Sequence, residues 1–256
     1  MKRFSPVLAA MCMLIILCIN INIFAQDEVD FELTADYFGK YVWRGQDLVD
    51  DPVFQPGFSA SYKGLTAGIW GNLDTTDING NKGEFTEADY YLDYSGEVPG
   101  LKGVGFSVGA IYYDFPNTTA PSTTEVYGGL SLDAPLSPSV TFYNDIDEAD
   151  GLYISASIEH SIEKILELGP DTPVGMDLGA SIGWADSSYN NYYWGVDDSK
   201  ANDLALSVSF PFEISGWSIT PSLHYVMLMS DAIRDTNAYT DDNNLFFFGI
   251  GLSKGF

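Results

Sequence analysis

The sequence predicts an all-β fold, a transmembrane antiparallel up-and-down β-barrel of about twelve strands. Three observations carry this reading. Apolar residues recur at every second position along most of the chain, and the connections alternate between long acidic stretches and short ones shaped by Pro or Gly. The last twelve residues, "LFFFGIGLSKGF", form an alternating, strand-forming segment that stops on Phe256. In a soluble protein such an ending leaves a sticky edge strand, whereas in a membrane barrel it closes the wall.

The first 25 residues differ from the rest. Lys2 and Arg3 precede an apolar run that ends near Ala25, the pattern of a secretory signal peptide cut before Gln26. The run is short for a span of ~20 residues, and acidic residues follow at once, which argues against an N-terminal anchor. Neither Cys12 nor Cys18 follows a small residue, as a lipoprotein cleavage site would need. The barrel is expected over 26–256. That part holds no cysteine, so it offers no disulfide, thiol nucleophile or cysteine metal site. Its nine basic residues against 36 acidic ones give a net charge of −27, which excludes nucleic acid as a partner. No stretch of it reaches 18 consecutive apolar residues, so no transmembrane helix is expected.

A period of two places successive side chains on opposite faces of a strand. In the first segment, 30–44, Phe31, Leu33, Ala35 and Tyr37 alternate with Glu32, Thr34 and Asp36. Segments 53–63 and 65–75 follow, separated by a Lys-Gly pair. In 84–95, Ala88, Tyr90, Leu92 and Tyr94 alternate with Glu87, Asp89, Tyr91 and Asp93. In 104–114, Phe106, Val108, Ala110 and Tyr112 oppose glycine and serine. Segments 123–133, 139–147 and 151–162 lead to 174–187, where Met176, Leu178, Ala180, Ile182 and Trp184 oppose Asp177, Gly179, Ser181 and Gly183. The last three are 203–213, 217–230 and 244–256. A soluble β-sandwich also alternates, but its strands average nearer five or six residues and its turns are similar at both ends.

Here the connections differ by strand parity. Odd-to-even connections include "TDINGNKGE", "SSYNNYYWGVDDSKAN" and "SDAIRDTNAYTDDN"; even-to-odd ones include "KG", "DAPLSPS" and "ISGW". Long loops at one end and short turns at the other are the expected asymmetry of a bacterial outer-membrane barrel. An even strand count places both termini on the short-turn, periplasmic side. The segment "SIEKILEL" reads as a turn with a fraying strand end rather than as helix. Tyr37, Tyr41, Trp43, Tyr94, Tyr112, Trp184, Trp217 and Tyr225 fall toward strand ends, where amphipathic rings favour the membrane boundary.

The stretch "YVWRGQDLVDDPVFQPGFSASYKG" carries an aromatic-x-aromatic-Arg-Gly motif, a short acidic loop, and a return strand with Pro and Gly. It resembles the opening hairpin of the Gcw_chp family of uncharacterised bacterial outer-membrane proteins, with Tyr41, Trp43, Arg44, Gly45, Pro56 and Gly57 at the matching positions. Phe248, Ile250, Leu252 and Phe256, at two-residue steps before the end, resemble the C-terminal signal read by the barrel-assembly machinery; Lys254 departs from it. These resemblances imply an outer-membrane location, with membrane lipid and that machinery as partners. They imply no particular activity.

Candidate chemistry is sparse. His160 and Ser161 are adjacent, so a strand points them to opposite faces and they cannot pair as base and nucleophile. His224 shares the polar parity of Ser222 and Thr220, which leaves a lipid-modifying hydrolase as a lesser alternative. "TDINGNKGE" fails as a calcium loop because Thr75 stands where the first Asp belongs. The acidic loops, including Asp50, Asp51, Asp147, Asp197, Asp241 and Asp242, would crowd one rim that divalent cations can screen. No cofactor is expected. Polar parity sends Glu32, Asp36, Glu87, Asp89, Asp93, Glu125, Glu159 and Asp177 into the lumen, with Arg44 and Lys40 on the same parity of the first segment. Glu32, Asp36, Arg44, Glu87, Asp89, Asp93 and Asp177 are the candidate determinants of selectivity. The expected function is passive passage of small cationic or neutral solutes; the rival is a plugged structural or docking barrel.

Overall fold

A computed structural model describes residues 29–256; the expected signal peptide lies outside the described residues. The chain runs through β1 (Asp30–Phe38), a short pair β2 (Tyr41–Trp43) and β3 (Gln46–Val49), then β4 (Val53–Tyr62), β5 (Leu65–Asp74), β6 (Phe85–Glu97), β7 (Val104–Asp114), β8 (Thr123–Leu132) and β9 (Ser139–Asp145). It continues through β10 (Leu152–Gly169), β11 (Thr172–Ala185), β12 (Lys200–Ser209), the short β13 (Phe212–Ile214), β14 (Trp217–Leu228) and β15 (Asn244–Gly255). All but β2, β3 and β13 form one closed, antiparallel, twelve-stranded barrel.

Closure joins the first and last wall strands. β15 pairs with β1 from Glu32↔Gly255 to Phe38↔Gly249. Phe31 and Phe256 exchange backbone hydrogen bonds of 3.3 and 2.9 Å. No wall strand is left with an open edge, which removes the hazard of an apolar terminal strand.

The alternation sorts side chains as the period predicts. Leu92, Val108, Leu130, Phe142, Phe246 and Phe248 point outward and stay about half exposed. Such a continuous apolar outer band would drive a water-soluble protein to aggregate, and it matches a hydrocarbon surround. The inward face is polar, with glycine and serine set beside tyrosine. Gly109, for example, faces Tyr127, whose ring would stand 2.5 Å from an added Cβ. The inner wall uses glycine where a tyrosine lies across it.

The long connections gather at one end and the short turns at the other. Helix α1 (Ser187–Trp194) sits in the β11–β12 connection, and the single turn α2 (Asp231–Arg234) in the β14–β15 connection. Buried apolar clusters lie at this long-loop end. One joins Tyr41, Val49 and Val53; another joins Trp194, Leu228 and Ile233.

Three boundaries differ most from the sequence reading. The first wall strand ends at Phe38 rather than at 44, so Tyr41 and Trp43 belong to no membrane-facing belt. The segment "SIEKILEL" neither frays nor turns; β10 continues through it to Gly169, with register shifts after Ile162 and after Glu167. The tenth wall strand runs Lys200–Ser209 and stops before Pro211, which has no N–H for the ladder.

Candidate functional site

The departure at Phe38 builds the site. After Gly39 the chain leaves the wall and doubles back as β2–β3, a two-stranded hairpin paired at Trp43↔Gln46. The two residues between, Arg44 and Gly45, both have positive φ, 48° and 83°, as a tight hairpin turn of this kind requires. Gly45 has a second reason to lack a side chain. An added Cβ would lie 2.7 Å from Leu228 Cδ2 and 3.1 Å from Asp203 Cβ. The turn is therefore pressed against the β12–β14 wall.

Arg44 extends from this tip to yet another part of the wall. Its two terminal nitrogens donate to the two carboxylate oxygens of Glu125 on β8, at 2.7 and 2.8 Å. The side chains are 9% and 1% exposed. Tyr113 on β7 donates to the same carboxylate at 2.8 Å. The guanidinium also lies 4.4 Å from the ring centres of Trp43, Tyr143 and Tyr153. Desolvated cation–π contacts of this kind contribute up to about 2 kcal/mol each. Tyr153 in turn donates to Asp203 at 3.0 Å. The hairpin is thus tied to β7, β8, β9, β10 and β12, far round the barrel from its own neighbours β1 and β4.

Its base is braced as well. Lys40 donates to Asp47 at 3.1 Å and contacts Asp50. Burial pushes the Asp47 carboxyl up from its ordinary value, and the Lys40 ammonium opposes that shift. Helix α1 covers the hairpin from the loop side. Asp186 caps it by accepting from the Tyr189 N–H at 2.9 Å, and Gly195, at φ 69°, ends it. The helix holds Tyr193 5.5 Å from Trp43, and Tyr189 5.5 Å from Tyr153, ring centre to ring centre.

The hairpin divides the lumen. On the loop side lies a vestibule of about 440 Å³ with Tyr41, Trp43, Asp74, Glu87, Tyr113, Tyr193 and Tyr239 in its wall. On the other side lies a chamber of about 430 Å³ that reaches Arg44, Asp89, Ser155, Ser181 and Asp203. Trp43 and Tyr113 border both. Glu87 and Asp89, two residues apart on the inner face of β6, straddle the level of the hairpin. Tyr41 and Glu87 line the vestibule together.

The sequence-predicted residues are only partly brought together. Arg44, Glu87 and Asp89 meet at the hairpin. Asp93 lies further along β6, where Tyr127 donates to it at 2.7 Å. Glu32 shares a smaller cavity, about 280 Å³, with Asp89 and Tyr91. Asp36 lies against Gly251 on the β1–β15 seam, and Asp177 pairs in register with Ser161 and Ser209. Neither joins the Arg44 cluster. Arg44 itself lies on a hairpin rather than on the polar face of the first wall strand, and its partner is across the lumen. Asp203, Tyr143, Tyr153 and Tyr189 also belong to the cluster, and in the sequence only the tyrosine-rich strand ends and "YNNYYW" point to them. Phe248, Ile250 and Phe256 stay well exposed on the outer face, with Leu252 close to them. Lys254 reaches over the rings of Trp217 and Phe256, at 5.3 and 5.4 Å. Among the described residues no three His, Asp or Glu side chains converge as metal ligands.

No protein-family model and no curated protein matches the chain. Solved structures do. The chain is similar to the NanC porin, at TM-score 0.50 and 12% identity, covering 88% of this chain and 98% of that one. It is also similar to the KdgM porin solved with disordered oligogalacturonate, at TM-score 0.51 and 8% identity, over 89% and 99%. LpxR from Salmonella typhimurium matches at TM-score 0.51 and 8% identity, over 87% and 99%. At such identities the likeness is one of fold: the twelve-stranded barrel of outer-membrane proteins.

Proposed function

We propose that this protein is a passive channel of the bacterial outer membrane for small cationic or neutral solutes, with the β2–β3 hairpin as its constriction. One observation carries the reading. The hairpin leaves a chamber on each side, and carboxylates line both at its level, Glu87 on the loop side and Asp89 on the other. The cation placed among them, Arg44, is already paired with Glu125. These carboxylates are the basis for a negative field along the path, since a carboxylate in a narrow space attracts cations more strongly than in bulk water. The apolar outer band and the likeness to two porins support the location. The lipid surround and the assembly machinery belong to the same proposal, as does screening of the acidic loops by divalent cations. We also propose that the aromatic-x-aromatic-Arg-Gly motif of the Gcw_chp family marks this infolded hairpin.

Reconstitution in a planar bilayer tests the channel. Discrete conductance steps with a cation-selective reversal potential are expected. A second reading, a plugged barrel, draws on the Arg44–Glu125 latch; a silent wild type that conducts once residues 40–50 are replaced by a short Gly-Ser linker would establish it. The enzymatic alternative rests on His224, whose Nε2 lies 2.9 Å from Ser222 Oγ. His160 is on the outer face, opposite in parity to Ser161. Unchanged lipid turnover on replacing either histidine is expected.

A further inference from the structure

We propose that the vestibule on the loop side of the hairpin is a binding site for a small organic cation, an ammonium group carried on an apolar body. The inference deepens the channel reading and rests on it for the direction of entry.

Seven aromatic residues line this 440 Å³ space, and four of them, Tyr41, Trp43, Tyr113 and Tyr193, are grouped around the hairpin. Trp43 packs edge-on against both Tyr113 and Tyr193, at 6.0 and 5.5 Å, so the rings form a fixed set of walls. Aromatic faces present negative quadrupoles and attract desolvated cations. Two carboxylates border the same space, Asp74 and Glu87, and among the described residues no Lys, Arg or His does.

Asp74 supplies the second, independent observation. It is fully buried, and its Oδ1 accepts from Asn72 Nδ2 at 3.1 Å and from Thr86 Oγ1 at 3.0 Å. Its Oδ2 is buried and has no hydrogen-bond partner. A buried carboxylate oxygen left without a donor is costly, and such an atom in a native structure calls for a partner. An ammonium N–H in the vestibule supplies both the donor and the charge. Glu87, in the same wall, adds a second carboxylate. A neutral saccharide would satisfy the donor requirement and stack on the rings, but it would leave two carboxylates without a counter-charge. An anion would be repelled by both. Pockets of this size with apolar walls and a few convergent polar groups are of the kind that hold small ligands.

The test is calorimetric titration of the mature barrel, refolded in detergent, with benzylammonium, with its neutral analogue benzyl alcohol, and with glucose. Benzylammonium is expected to bind at least tenfold more tightly than benzyl alcohol. Asp74→Asn and Glu87→Gln should each weaken it fivefold or more, while Asp197→Asn on an exposed loop leaves it unchanged. Heat-modifiable migration identifies which variants have folded, and Glu87→Gln decides if Asp74→Asn does not. Equal affinity for benzylammonium and benzyl alcohol overturns the proposal. So does tighter binding of glucose, or wild-type affinity in the folded carboxylate variants. Binding without conductance would sustain this site and overturn the channel; cation-selective conductance without binding would do the reverse.

Discussion

Arg44 and Glu125, 81 residues apart in the chain, face each other through two parallel hydrogen bonds of 2.7 and 2.8 Å inside the barrel. One residue sits at the tip of a hairpin that has left the wall; the other is part of the wall. A bidentate guanidinium–carboxylate pair fixes direction as well as distance. Because both groups are out of water, each depends on the other for its charge to be tolerated there. The hairpin is therefore latched across the lumen.

Breaking the latch should open the path. Arg44→Ala leaves Glu125 buried without its counter-charge, a change that costs about 3–5 kcal/mol in buried pairs. The hairpin should detach for part of the time, and single-channel conductance should rise at least twofold with added noise. Arg44→Lys should behave more like Arg44→Ala than like the wild type, since a single ammonium cannot span both oxygens or stack on three rings. Adding Glu125→Gln to Arg44→Ala should restore part of the lost stability. Wild-type conductance in a folded Arg44→Ala barrel would show that aromatic packing alone holds the hairpin.

The walls were legible in the sequence and the latch was not, for physical reasons. A period of two reports which face a residue occupies, so the inward placement of Glu87, Asp89 and Asp93 follows from Tyr90, Leu92 and Tyr94 beside them. It does not report a departure from the wall. Tyr41, Val42 and Trp43 continue the alternation of β1, and Arg44 lacks the turn preference of Asn or Asp, so "WRGQ" reads as strand followed by loop. Arg44 keeps its left-handed backbone because Glu125 and three aromatic rings hold its side chain, all of them distant in sequence. For α1 the signals were present: Asp186 and Gly195 stand at its two ends. Its interior, "SSYNNYYW", has no apolar period of 3.6, since its tyrosines serve the lumen rather than a helix-packing face.

The loop ends can be located on cells. Tags inserted after Asn79, Asp197 or Asp241 lie in exposed, long connections and should be reached by antibody on intact cells. Tags after Pro99 or Pro170, at the short-turn end, should become accessible only once the envelope is opened. Surface labelling of the second pair would invert the proposed orientation.

Phe256 tests the closing seam. Its backbone exchanges hydrogen bonds with Phe31, and its ring lies outward beneath the Lys254 ammonium. Deleting it removes the last rung between β15 and β1 and the aromatic end of the assembly signal proposed here. Assembly in cells should slow, and periplasmic degradation should rise. Barrel yield and heat-modifiable migration equal to the wild type would remove Phe256 from any role in assembly.

Selectivity should follow the lumen rather than the rim. Two unit charges at about 4 Å attract by near 4 kcal/mol at an effective dielectric of ~20, and by only about 1 kcal/mol in bulk water. Glu87 and Asp89 flank the hairpin, where side chains displace most of the water, and Asp93 follows on the same face. Asp241 and Asp242 sit exposed in the β14–β15 connection, where a Debye length of roughly 8 Å at physiological salt screens them. Replacing Glu87, Asp89 and Asp93 together by Gln and Asn should therefore reduce cation preference severalfold. The same change at Asp241 and Asp242 should alter it by less than a factor of two. Reversal potentials in a salt gradient measure both. A rim effect exceeding the lumen effect would mean that solutes are selected at the loops, before they reach the hairpin. A wild-type pore without cation preference would mean that the carboxylates at the constriction are neutralised, and charge would then no longer account for what this barrel admits.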